Sequence, residues 1–99
     1  MSIFVTVKAR LKDDPDKIKD FHDQVVGATK DVAKSAGDIS HKIYLSASNP
    51  RDFLGVDVWK SAEAFQKFSS DPRIREFFGQ LFEGSPEVNI WEETGWNQW

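Results

Sequence analysis

His41 and Asp57 carry the side chains of this sequence best suited to moving a proton. His41 lies in the stretch DISHKIYLSAS, and imidazole titrates nearer neutrality than any other side chain. Asp57 interrupts the apolar run FLGVDVW, and the amphipathic pattern SAEAFQKF begins almost at once behind it. Both residue types suit general acid–base work on a bound substrate. Phe4, Thr6, Tyr44 and Trp59, on the same or adjoining strands, are the candidates for holding that substrate. Each has a plainer reading. His41 is more readily read as a partly buried ring bonded to a backbone carbonyl, and Asp57 equally as an ion-pair partner of Lys8 or Lys42. Tyr44 suits a solvated strand face, and Trp59 a core or interface anchor. His22, at the edge of an apolar helical stripe, reads as a surface or boundary histidine. The chain has no cysteine and no cluster of metal ligands, so the expectation is no metal and no cofactor.

The elements that must position these groups follow from periodicity. SIFVTVKAR alternates, with Ile3, Val5, Val7 and Ala9 on one face and Phe4, Thr6, Lys8 and Arg10 on the other. Asp14 and Pro15 open a helix whose apolar positions Ile18, Phe21, Val25, Ala28 and Val32 recur at helical spacing until Gly37. DISHKIYLSAS is a second strand, SNPRD a turn and DFLGVDVW a third strand, the last two strands forming an antiparallel hairpin. On the third strand Leu54, Val56 and Val58 oppose Phe53, Gly55, Asp57 and Trp59. Ser61 caps a helix bearing Ala64, Phe65 and Phe68. Asp71-Pro72 opens a further helical segment with the stripe Ile74, Phe77, Phe78, Leu81 and Phe82, which reads as core. GSP ends that segment, and EVNIWEETGW reads as a fourth strand.

The order β-α-β-β-α-β predicts an α+β chain of ferredoxin-like fold, one domain over residues 1–99, with an antiparallel sheet and helices on one face. The opposite face, to which Phe4, Thr6, Asp57 and Trp59 are assigned, is too aromatic to leave in water. A second copy laying its sheet against it gives a homodimeric barrel, and Trp96 and Trp99 are expected to pack on that partner. Among 99 residues, a hydrophobic fraction of 39% and an aromatic fraction of 13% support a packed core over disorder. The net charge of −3, without a basic stripe, argues against nucleic acid, and no apolar run reaches membrane-spanning length. Without a leader-like segment, a cytoplasmic location is the expectation.

Gly37, the turn Asn49-Pro50, Asp57-x-Trp59, Ser61, Glu63-Ala64-Phe65 and Ser70-Asp71-Pro72 together give the chain a family likeness. It resembles the antibiotic biosynthesis monooxygenase family, dimeric α/β barrels of ferredoxin-like fold. The resemblance implies cofactor-independent oxygenation of an electron-rich aromatic, a phenol, hydroquinone or anthrone, with dioxygen. It aligns His41 with the family's aromatic residue on strand two and Asp57 with its glutamate. Phe68 stands where many members carry a histidine on the second helix, and Val7 where haem-degrading relatives use an asparagine, which disfavours haem breakdown. A non-catalytic dimer that binds a small molecule or serves in assembly is the alternative.

Overall fold

The computed structural model describes residues 2–99. Strands β1 (Ile3–Leu11), β2 (Asp38–Leu45), β3 (Asp52–Trp59) and β4 (Phe82–Trp91) and helices α1 (Pro15–Ala36), α2 (Ala62–Ser69) and α3 (Pro72–Leu81) follow in the order β1-α1-β2-β3-α2-α3-β4. All neighbouring strands are antiparallel in one sheet of order β2-β3-β1-β4, the ferredoxin-like arrangement. No helix among the described residues is long and apolar enough to cross a membrane.

Local chemistry sets the helix ends. Pro15 supplies the first turn of α1, and Gly37 closes it at φ 122°, a conformation that side chains other than glycine's resist. Lys60 also passes so close that a Cβ at residue 37 would lie 2.8 Å from its Cγ. Asp14 stands at the N-cap without making a side-chain cap bond; its backbone carbonyl instead accepts from Lys17 and Ile18. The Ser61 hydroxyl accepts from the Ala64 amide at 3.1 Å, and the Asp71 carboxylate from that of Arg73 at 2.9 Å. The first cap opens α2, and the second, followed by Pro72, separates α3 from it.

Sheet and helices meet in two separate cores. At one end Leu11, Phe53, Leu81 and Phe82 are buried, with Ile18, Phe21 and Phe78 packed around them. At the other, Ile3, Val5 and Trp59 are buried against Ala36, Phe65 and Phe68. Trp59, 2% exposed, meets the Phe65 ring edge-on at 5.6 Å and tilts against the Phe68 ring at 5.2 Å. Between the two cores α1 stands away from the sheet, and none of its residues is fully buried.

Three placements differ from expectation. β3 turns Phe53, Gly55, Asp57 and Trp59 toward the helices, because Asp57 pairs opposite Val5 and Trp59 opposite Ile3. Asp57 and Trp59 therefore leave the uncovered face, where Phe4 and Thr6 remain. β4 begins at Phe82, and residues 92–99 hold no strand. GSP does not end the helix, which stops at Leu81; it lies inside β4, where Gly84 at φ 73° and Pro86 are absorbed as the step from Lys8 to Arg10 faces the longer step from Glu83 to Glu87. An edge strand tolerates a proline in this way.

Leu81→Ala, which empties a position 1% exposed, is expected to cost about 2–5 kcal/mol. Val32→Ala, at a position 63% exposed, is expected to stay within about 0.5 kcal/mol. Urea unfolding of the two variants beside the parent chain measures both.

Candidate functional site

The gap between the two cores is a cleft of about 1260 Å³, floored by the sheet and walled by the helices. Val25, Val26 and Thr29 of α1, which a closed core would cover, line it instead. Gly55 lies on its floor beside Asp57, and a Cβ there would come within 3.3 Å of the Phe53 ring. The missing side chain deepens the floor. A cleft of this kind, mostly apolar with a few convergent polar groups, is the usual form of a small-molecule site.

Those polar groups stand in a row across the sheet. Asp57 pairs opposite His41 of β2 on one side and Val5 of β1 on the other, so all three share the helix-facing side. His41 Nδ1 lies 2.7 Å from Asp57 Oδ1. A carboxylate only accepts, so Nδ1 carries a proton and Nε2 is the nitrogen left for proton exchange on the cleft side. The bond to Asp57 raises the pKa of His41 above its ordinary value, against the opposing effect of burial.

Asp38 joins the row through an irregularity. The pairing of β2 with β3 shifts between Asp38 and Ser40, which puts Asp38 opposite Trp59 and on the same side as His41. Regular alternation would have sent two residues three apart to opposite faces. Burial pushes the Asp38 carboxyl up to about 8, reinforced by its hydrogen bond to Asp57 and the charge there. Its Oδ1 is buried without a partner. A proton on Asp38 removes the cost of holding a second charge beside Asp57.

His22 completes the cluster from α1. Its Nε2 lies 3.4 Å from Nε2 of His41, and its Nδ1 lies 3.0 Å from Asp23 Oδ1. Its ring lies 6.3 Å from that of Phe77. One group of three potential metal ligands occurs among the described residues, Asp38, His41 and Asp57, whose donor atoms lie within 4.8 Å of one another. In that set the His41–Asp57 contact has the length of a hydrogen bond, and the raised pKa of Asp38 favours its neutral, non-ligating form.

The six residues singled out from sequence thus separate. His41, Asp57 and Trp59 line the cleft. Phe4, Thr6 and Tyr44 lie on the opposite face, where Phe4 pairs with Trp91 and Thr6 Oγ1 accepts from Trp91 Nε1 at 2.7 Å. Neither Lys8 nor Lys42 reaches Asp57, since both point to that opposite face while His41 takes the carboxylate. The cluster adds Asp38 and His22. His22 carried a usable signal, because Val25, Val26 and Thr29 follow it at helical spacing along one wall; Asp38 carried none, because its face depends on the irregularity in β2.

A family model described as antibiotic biosynthesis monooxygenase matches residues 4–80. No curated protein matches the sequence. Among solved structures, a putative antibiotic biosynthesis monooxygenase from Bordetella bronchiseptica is 18% identical with a TM-score of 0.73, over 94% of this chain and 97% of that one. A Streptomyces coelicolor monooxygenase solved with the ligand Nanaomycin D is 17% identical with a TM-score of 0.73, over 98% and 91%. SnoaB, a cofactor-independent oxygenase from Streptomyces nogalater, is 12% identical with a TM-score of 0.70, over 94% and 93%.

Asp38 holds its proton more tightly folded than unfolded. Its contribution to stability is therefore full at low pH and is lost as pH rises from the ordinary 3.8, where the unfolded chain ionises, to about 8, where the folded one does. His41, with its pKa raised, acts in the same direction, losing its contribution as pH rises through the raised value. The urea midpoint is expected to fall between pH 5 and pH 8. Asp38→Asn, which keeps the shape of the protonated acid, is expected to flatten that slope by about 1 kcal/mol after allowance for solvent screening.

Proposed function

Because the chain belongs to the antibiotic biosynthesis monooxygenase family, we propose that it is a cofactor-independent monooxygenase acting on an electron-rich aromatic of the phenol, hydroquinone or anthrone type. The observation that carries this reading is His41, held by Asp57 with its Nε2 turned toward His22 at the floor of an apolar cleft large enough for such a ring system. Nε2 takes the acidic proton of the substrate, and Asp57 offsets the charge this creates on the imidazole. The substrate anion then gives one electron to dioxygen, and the radical and superoxide recombine as a C–O bond. The proton held by His41 returns to the peroxide; the hydrogen on the same ring carbon is then lost as a proton while the O–O bond breaks, which leaves a carbonyl on the ring and releases the outer oxygen as water. One substrate and one dioxygen thus give one oxygenated product and one water. Trp59 and the phenylalanines of α2 and α3 keep the anion away from bulk water, which favours this reaction over reprotonation.

The face carrying Phe4, Tyr44, Leu54 and Trp91 takes the second copy in the same proposal. Each of these side chains is exposed in the single chain, Trp91 at 55%, and no helix covers them. Phe4, Thr6 and Tyr44 then act in assembly rather than in substrate binding. Trp96 and Trp99 are likewise exposed, as a segment that packs on a partner would be. Sedimentation is expected to give a dimer, and Leu54→Lys a monomer whose cleft is unchanged.

Dioxygen uptake over a panel of hydroquinones and anthrones, in chelator-treated buffer, tests the chemistry. Uptake is expected to exceed the spontaneous rate and to fall about 10²–10⁴-fold in His41→Ala, with a smaller loss in Asp57→Asn. Uptake that disappears on chelation, or survives both substitutions, removes the proposal. Binding of the panel without any uptake selects the non-catalytic small-molecule-binding dimer.

A further inference from the structure

His22 and His41 are the only histidines in the chain, and they meet. Their rings are nearly parallel, at 20°, with centroids 5.6 Å apart. Both Nδ1 atoms are anchored on carboxylates, His41 on Asp57 at 2.7 Å and His22 on Asp23 at 3.0 Å. With a proton on each Nδ1, the facing Nε2 atoms present two lone pairs to each other across 3.4 Å. One further proton on the pair makes one Nε2 a donor and leaves the other an acceptor.

We propose that this Nε2···Nε2 gap is the seat of the substrate's phenolic hydroxyl, with His22 as a second catalytic residue that donates to the oxygen while His41 takes its proton. The inference rests on the oxygenase reading and narrows its substrates to aromatics with a free phenolic hydroxyl. A hydroxyl both donates and accepts, so it matches a pair of nitrogens that differ by one proton. Holding an oxygen at about 2.8 Å from each nitrogen requires the rings to part by about 1–2 Å. Proton transfer breaks the O–H bond, forms N–H on His41 and leaves a phenolate between two imidazolium groups, with no electron transferred in this step. The charged groups around the pair are disposed to support those cations. Asp57 of β3, with Asp38 of β2 behind it, faces His41. Asp23 of α1, itself bound to Lys19 at 2.6 Å, faces His22. The nearest ring contributed by α3 is the uncharged Phe77. A ligand whose only polar group is a carbonyl supplies no proton to the second nitrogen and loses one of the two bonds.

p-Nitrophenol is the probe, because its phenolate absorbs in the visible and its ring is too electron-poor to reduce dioxygen. Bound to the full chain, it is expected to be at least about tenfold richer in phenolate than free probe at the same pH, equivalent to one pK unit. His22→Gln and His41→Gln are each expected to abolish that enrichment, and Asp23→Ala, which leaves His22 in place but frees its ring, to reduce it. Circular dichroism verifies that each variant keeps its helices. A parent chain that fails to bind the probe or binds it neutral, or a folded His22→Gln that ionises it as well as the parent, overturns the inference. Oxygen uptake without probe ionisation leaves the oxygenase reading standing and removes the hydroxyl seat. Ionisation without uptake does the reverse.

Discussion

Asp57 stands directly opposite His41 on one side and Val5 on the other, and the site depends on that strand register. A slip of one residue in β3 would turn Asp57 and Trp59 to the uncovered face and bring Val56 and Val58 under the helices. His41 would then lose the carboxylate that holds Nδ1 and turns Nε2 toward the cleft and His22. The same register puts Phe53 and Trp59 into the two cores, so packing and chemistry are specified by one set of backbone pairings. Large aromatics at both ends of β3 make the alternative register costly, since each would have to leave a buried position.

The cleft persists because the cores occupy the ends of the fold and not its middle. α1, about 33 Å long, is tied down through Ile18 and Phe21 at one end and Ala36 at the other. Between those ties it bridges the central row of the sheet, and Val25, Val26 and Thr29 look across open space toward His41 and Asp57. A chain of this size gives up hydrophobic stabilisation by leaving that space unfilled. Gly55 adds to the same effect, because any larger residue would press on the Phe53 ring.

Gathering Asp38, Asp57, His41 and His22 in such surroundings works only because each charge finds a compensating partner. Asp57 is bonded to the imidazole, burial favours the neutral form of Asp38, and His22 is tethered to the exposed carboxylate of Asp23. The cluster is thus a short chain of proton-bearing groups reaching from the interior of the sheet to the solvent side of α1.

Much of this molecule is legible in its sequence. The helix-start signals at Asp14-Pro15, Ser61 and Asp71-Pro72, the stop at Gly37 and the hairpin around Asn49-Pro50 are local chemistry, and the element order with its ferredoxin-like topology follows from them. His41 and Asp57 stand out by residue type alone, and both line the cleft. The side of the sheet on which Asp57 and Trp59 lie was not legible, because both faces of β3 are apolar and a period of two cannot say which is covered. The strand through Gly84 and Pro86 was hidden for a related reason, since a bulge tolerates residues that regular pairing rejects. His22 and Asp38 needed the fold itself. Local sequence fixes where elements begin, end and alternate, whereas the meeting of a helix residue with a strand residue 19 positions away, and the turning of Asp38 by an irregular pairing, are decided only when the strands take their register and α1 settles over them.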